Sequence, residues 1–282
     1  MNGYLRIDSA IAEAAKALQA VSESPRLDAE LLLATALDVP RSYLYAHADE
    51  EMDDAAAQRF QDTIAKRVDG FPLAYITGEK EFWSMPLMVS PATLVPRPET
   101  ETLVEQALMK IPKNEHLRIL DLGTGSGAVA LAIAKERPLC DVVATDVSED
   151  ALAVARINAR NNSIPNIEFL QGDWLEPAVG MTFDVIVSNP PYVAKADEAL
   201  VTLRHEPQGA LVAGKDGLDS IEVIAAKAGA VINQGGSLLI EHGADQGEAV
   251  RNILKGNGWT DISLAKDLSM LPRVTSAVLS AR

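Results

Sequence analysis

Four consecutive residues, Asn189, Pro190, Pro191 and Tyr192, carry the sharpest chemical signal in the chain. They follow Val185-Ile186-Val187-Ser188, an apolar run that reads as a buried strand, so they stand at its carboxyl end. Each proline fixes its own φ angle, and the first confines Asn189 to extended backbone. A turn needs no such constraint, whereas a side chain that must be held in place does. An amide or exocyclic amino nitrogen is nearly planar, and its delocalised lone pair makes it a poor nucleophile. The Asn189 side-chain oxygen and the Pro190 carbonyl can accept its two hydrogens, and Tyr192 can lie against its plane. Such a cradle orients the lone pair and favours charge building on the nitrogen during group transfer. No strong general base is needed, because the proton can leave once the nitrogen has become acidic.

A second cluster, Asp121-Leu122-Gly123-Thr124-Gly125-Ser126-Gly127, lies between the short apolar strand Arg118–Leu122 and a helical stretch from Ala128. Its glycines permit a tight turn and close approach of a ligand to the backbone. The N–H groups at the helix start would favour an anionic or carboxylate-bearing ligand. The next strand ends in Asp146, nineteen residues beyond Gly127. An acid there can accept from both ribose hydroxyls of an adenosine moiety. A third strand ends in Gly172-Asp173-Trp174. Asp173 is placed to accept from an adenine amino group, and Trp174 either stacks on the ring or fills the sheet edge near Pro177.

These residues imply a nucleoside-bearing cofactor, and the glycine spacing bears on which. The dinucleotide fingerprint is Gly-x-Gly-x-x-Gly over a pyrophosphate. Here the spacing is Gly-x-Gly-x-Gly after an acid, which resembles the first motif of class I methyltransferases. There the turn faces the methionine portion of S-adenosylmethionine. An oxidoreductase using NAD would also leave Asn189-Pro190-Pro191 without a role.

The elements that position these residues fall into two parts. After Pro96, apolar strands (118–122, 142–145, 167–170, 184–187, 237–240) alternate with helices near 128–135 and 151–161. That pattern predicts an α/β fold with a Rossmann-like, doubly wound, mostly parallel sheet, its ligands at the strands' carboxyl ends. Before it, residues 1–72 read as a small helical bundle. One helix carries Ile11, Ala14, Leu18 and Val21 after a cap at Ser9. A second opens at Ser24-Pro25, and a third covers about 53–68 and ends at Gly70. Residues 73–95, short apolar pieces broken by Gly78, Pro86 and Pro91, read as a β-hairpin or linker. The methyltransferase domain is expected over 96–282.

Composition narrows the partners. The formal charge is -15, and the first seventy residues hold thirteen acidic side chains against seven basic ones. An extended grip on a phosphate backbone is therefore not expected, and a basic protein partner is. With Cys140 alone no intramolecular disulfide can form, which fits a reducing cytoplasm. Met1–Asp8 shows no basic-then-apolar leader, and no run approaches the roughly 18 apolar residues of a membrane span. His47, His116, His205 and His242 show no ligand spacing, so no metal is expected.

With these residues in place the chain resembles the HemK/PrmC family, the protein-(glutamine-N5) methyltransferases that modify peptide chain release factors. The match covers nearly the whole chain. It includes Phe71 to Gly78, Val95-Pro96-Arg97-Pro98-Glu99-Thr100-Glu101, the glycine motif, Asn189 to Tyr192, Glu206-Pro207, Glu241-His242-Gly243 and Gln246-Gly247. The resemblance implies that Gly123 to Gly127, Asp146 and Trp174 contact S-adenosylmethionine; Asp173, by its place on the sheet, and Asn189 are expected to contact it as well. It implies that Asn189 to Tyr192 hold the glutamine of a Gly-Gly-Gln motif, and that Arg97-Pro98-Glu99 helps enclose the site. The helical bundle reads either as a packing appendage or as a module that docks the substrate, and the enzyme is expected to act as a monomer. Asn-Pro-Pro-Tyr is shared with adenine and cytosine amino-methyltransferases of nucleic acids, so these stay as the alternative. A non-catalytic module on the same fold would not need an intact Asn189.

Overall fold

Helices come first in the computed structural model, which describes residues 6–279; the residues before Arg6, on which much of the no-leader expectation rests, lie outside it. The chain divides into one unit ending at Glu79 and another beginning at Lys80. The first contains α1 (Ile7–Ala17), α2 (Pro25–Leu37), α3 (Arg41–Ala46), α4 (Asp54–Val68) and α5 (Leu73–Thr77). Its core joins Leu18 and Ile11 of the first segment to Leu32 and Leu33 of α2 and Phe60 of α4. The buried Asp28 is held by Arg67 at 2.9 Å, and that guanidinium also donates to the carbonyls of Val21 and Phe71.

Two helix starts differ from expectation. α1 begins at Ile7 rather than after Ser9, because the amides of Ile7 and Asp8 donate to the carbonyls of Glu50 and Ala48. The orphan donors are satisfied by backbone, so no capping side chain is needed. Ser24 does precede Pro25 of α2, but its hydroxyl makes no cap bond. Asp53 caps α4 through the Ala56 amide at 2.6 Å.

The 73–95 stretch is not all hairpin. Leu73–Thr77 is a helical turn, opened by Pro72 and stopped by Gly78 at φ 80°. Leu73 and Ile76, three apart on one face, pack onto the helical core. The hairpin proper pairs β1 (Glu79–Phe82) with β2 (Met85–Met88) across Trp83 and Ser84, at φ 52° and 51°. Two left-handed residues at that position are a tight hairpin turn made without glycine. Compensation comes from outside the turn: the Trp83 amide donates to Glu101 at 2.8 Å, and its indole N–H to Glu136 at 3.2 Å.

Beyond the hairpin run α6 (Glu101–Lys110), β3 (Arg118–Leu122), α7 (Ala128–Glu136), β4 (Asp141–Asp146), α8 (Glu149–Asn161) and β5 (Ile167–Gln171). β6 (Phe183–Ser188), α9 (Asp219–Lys227), β7 (Ile232–Glu241), α10 (Gly247–Gly256), β8 (Trp259–Lys266) and β9 (Pro272–Leu279) complete the unit. The seven-stranded sheet has the order β5-β4-β3-β6-β7-β9-β8. β3 to β7 are parallel, and β9 and β8 close one edge antiparallel. Alternate residues feed two cores on opposite faces. Ile119, Val185 and Val187 join Leu131 and Ile133 of α7, while Leu120 and Ile186 join Ile221, Val250 and Leu254. Strands buried on both faces explain the continuous apolar runs in the sequence. Cys140 is buried, its thiol 3.4 Å from the Glu115 carbonyl.

Strand order reverses between β3 and β6, the two neighbours from which the sheet grows in opposite directions. A crevice opens at such a point outside the carboxyl ends. Among the described residues no helix is long and apolar enough to cross a membrane.

Candidate active site

Register places the motif loops side by side. Leu122 pairs with Thr145 on one flank and Ser188 on the other, Asp146 pairs with Gln171, and Ser188 with Ile240. The next residues, Gly123, Gly172, Asn189 and Glu241, therefore emerge from adjacent strands along one edge, beside Asp146. Ser188 tightens the switch point by donating its buried hydroxyl to the Leu122 carbonyl at 2.8 Å.

Above this edge lies a cavity of about 490 Å³, within the range usual for small-molecule sites. Gly123, Thr124, Gly125, Ser126, Asp146, Asp173, Trp174, Asn189 and Pro191 all line it. Gly127, Pro190 and Tyr192 do not. Gly127 is the N-cap of α7 at φ 85°, where a Cβ would stand 3.1 Å from Leu131 Cδ1 and 3.2 Å from Ala155 Cβ. Its role is to let the turn and two helices close together. Pro190 is buried behind Asn189.

The turn's amides are arranged differently from the expected anion cradle. The Gly123 and Thr124 N–H groups both donate to the Thr145 carbonyl at 2.9 Å, Gly127 N–H donates to Thr124, and Gly125 N–H donates to Asp146 Oδ2 at 2.8 Å. Four of the donors are thus consumed in building the turn. The chain also supplies its own carboxyl at the start of α7: Asp121 accepts from the Thr124 hydroxyl at 2.6 Å and from the Ala130 amide. Burial outweighs those bonds and raises the Asp121 pKa to about 7. Asp146 is occupied twice, since its Oδ1 accepts the Ser148 amide at 2.9 Å. The cap of α8 is Ser148, whose hydroxyl accepts from the Ala151 amide at 3.2 Å. Trp174 lines the cavity beside Gly123 and also packs against the buried core.

Asn189 is held from behind. Its Nδ2 donates to the Thr100 hydroxyl at 3.2 Å, and Thr100 donates to Glu241 Oε1 at 3.2 Å. Glu241 ends β7, is 1% exposed, and burial raises its pKa to about 7. Among the described residues its Oε2 has no hydrogen-bond partner of good geometry, although the Tyr192 side chain interacts with the carboxyl. Burial, then the Glu241 charge, push the Tyr192 hydroxyl up to about 12, so it stays protonated. The Tyr192 carbonyl accepts from Gln246 Nε2 at 3.0 Å, which fixes the backbone end of the motif.

Sequence reasoning gave no chemistry to several residues that shape this site. Glu206, 5% exposed, accepts from the Val95 amide at 3.1 Å and pairs with Arg97, a residue of the cavity wall. Pro98 and Glu99, expected with Arg97 to enclose the site, are not in that wall. Asn158 of α8 is fully buried and donates to the carbonyls of Ser126 and Met88 while accepting the Met88 amide. It ties the glycine turn to the hairpin. The signal available for Glu241 was the one that found Asp146, an acid at a parallel strand's carboxyl end.

Comparison with known proteins follows the same division. Residues 9–78 match the PrmC N-terminal domain, and residues 100–254 match the methyltransferase small domain. A release factor glutamine methyltransferase of Coxiella burnetii is 45% identical over 273 residues, covering 97% of this chain and 99% of that protein. One of Escherichia coli is 46% identical over 266 residues, covering 93% and 95%. A methyltransferase structure from Pyrococcus furiosus superimposes with a TM-score of 0.55 at 20% identity, over 78% of this chain and all of that one, a likeness of fold.

Proposed function

The chain belongs to the release factor glutamine methyltransferases, and from that membership we propose that it methylates the side-chain amide nitrogen of the Gly-Gly-Gln glutamine in a peptide chain release factor. The observation that carries this reading is the register pair Leu122–Ser188, which brings the glycine turn and Asn189 to one cavity. Membership of a methyltransferase family and fold implies S-adenosylmethionine, and the cavity suits it in size and lining. When bound, this group supplies an electrophilic methyl on a sulfonium.

The chain's own residues do the rest. Asp146 accepts ribose hydroxyls through lone pairs that the Gly125 and Ser148 amides leave free. Trp174 and Asp173 take the base. Asn189 Oδ1 and the Pro190 carbonyl accept the two hydrogens of the substrate amide and aim its lone pair along the transfer direction. Tyr192, outside the cavity wall and with a hydroxyl kept neutral by burial, would come against the amide plane only once substrate is bound, without competing for its proton. The net charge of -15 suits a basic protein substrate better than a nucleic acid. A single cysteine fits the cytoplasm, where release factors act.

The test offers methyl-labelled S-adenosylmethionine together with a purified release factor, DNA or RNA. Label on the release factor is expected. Label on nucleic acid alone would keep the fold and methyl donor but replace the substrate.

A further inference from the structure

We propose that Thr100 and Glu241 are positioning residues that fix which end of the Asn189 side-chain amide faces the substrate. The proposal rests on the reading in which Asn189 Oδ1 accepts an N–H of the methyl-accepting amide. An asparagine side chain turned over in the same place would present NH₂ to that N–H, donor against donor, and the cradle would fail. Its orientation is therefore as important as its position.

The three groups leave little freedom. Thr100, 3% exposed, has one proton to give. Its oxygen lies 3.2 Å from Glu241 Oε1 and 3.2 Å from Asn189 Nδ2. An ionised carboxylate only accepts, so the Thr100 proton must point to Glu241. The hydroxyl then has only lone pairs to offer Asn189, which must answer with its NH₂. Oδ1 is left on the opposite side of the amide, free for the substrate.

Protonating Glu241 removes the constraint. A carboxylic acid can donate to Thr100, whose own proton becomes available to Asn189 Oδ1, and the amide can turn over. The groups acting on the Glu241 carboxyl come from several elements: Arg273 on β9 favours the charge, Glu99 in the turn before α6 opposes it, and Thr100 and Tyr192 hydrogen-bond to it. Arg97 acts on the adjoining Tyr192. The neighbouring His242 ring is buried between the Gly243 carbonyl and the Thr275 hydroxyl, both at 2.8 Å, and burial keeps it neutral. Desolvation of Glu241 brings its titration to about pH 7, within the range where an enzyme works.

The test uses purified full-length enzyme with a release factor as methyl acceptor, at a temperature where each variant is folded by its melting curve. Thr100→Val keeps the shape and removes the hydroxyl; its kcat should fall by roughly 10- to 100-fold. Thr100→Ser restores the hydroxyl and should return activity to within about threefold of wild type. Wild-type kcat should decline as pH falls through about 7. In Glu241→Gln, which cannot titrate and whose amide can turn its NH₂ to Thr100 as a protonated carboxyl would, that decline should vanish and kcat should be low and flat across the range. Full activity in Thr100→Val, equal losses in the Val and Ser variants, or an unchanged acid limb in Glu241→Gln would each overturn the proposal. Full activity in Asn189→Ala would instead remove the reading beneath it.

Discussion

Replacing Asp146 by asparagine separates its service to the turn from its service to the ligand. In the free protein Oδ2 accepts the Gly125 amide at 2.8 Å and Oδ1 the Ser148 amide at 2.9 Å. Asparagine keeps one acceptor and turns an NH₂ group toward the other N–H. The turn should survive, because Gly123 and Thr124 remain bound to the Thr145 carbonyl at 2.9 Å. A lost hydrogen bond on this partly exposed side chain is worth about 1–2 kcal/mol, and for a domain of this size that lowers Tm by roughly 3–6 °C. Cofactor binding should suffer separately. Hydrogen bonds from ribose hydroxyls to a carboxylate are worth about 1.5–3 kcal/mol each, against about 1 for a neutral acceptor. A net loss of about 1.5–3 kcal/mol raises Kd by roughly 10- to 100-fold. Calorimetric titration with S-adenosylhomocysteine measures the second effect, and melting curves without ligand measure the first. An unchanged Kd with a lowered Tm would show that Asp146 serves the turn alone, and would refute the reasoning.

Other substitutions probe other parts of the account. Asn189→Ala should bind S-adenosylhomocysteine within a few-fold of wild type while kcat drops by about 10²–10³, measured by titration and steady-state methyl transfer. Gly127→Ala adds left-handed strain of about 1–2 kcal/mol to contacts of 3.1 and 3.2 Å with Leu131 and Ala155. Gly125→Ala, at φ 56° with open space around it, adds the strain alone. Calorimetry should therefore find Gly127→Ala the less stable of the two, and the reverse order would be wrong for this packing. Asp121 and Glu241 both have folded pKa values raised to about 7. Between the ordinary carboxylic range and that value the folded chain holds protons the unfolded chain has lost, so their contribution to stability falls as pH rises and levels off above about 7. Glu241→Gln should make the decline in Tm between about pH 5 and 8 shallower than in wild type. An identical slope would remove Glu241 from that balance.

What the sequence made legible was local. The central parallel strands β3, β4 and β6 announced themselves as apolar runs because both of their faces are covered, and the motifs at their ends could be placed by counting. The antiparallel strands β8 and β9 were not found. β9 buries Thr275 and Ser276, which break the apolar run. They are tolerated because Thr275 bonds His242 and Ser276 bonds Ser263 across the sheet at 2.7 Å. α3 and α5 are too short for a periodic pattern, and α6 carries only Leu103, Val104 and Ala107 as its buried apolar stripe. The site divides in the same way. The glycine turn, Asp146 and Asn189 follow from strand ends, whereas the Thr100–Glu241 bond joins residues 141 apart and has no local signature. The occupied amides of the glycine turn were equally invisible, since the Thr145 carbonyl that takes two of them comes from the neighbouring strand.

The account centres on a planar amide nitrogen held by Asn189 and methylated beside the glycine turn. The most direct measurement is peptide mass spectrometry of a release factor after reaction with the wild-type enzyme and, in parallel, with Asn189→Ala. One methyl group on the side-chain nitrogen of the Gly-Gly-Gln glutamine, present with wild type and nearly absent with the variant, is the predicted result. Methylation on any other residue, or undiminished methylation of that glutamine by the variant, would contradict it.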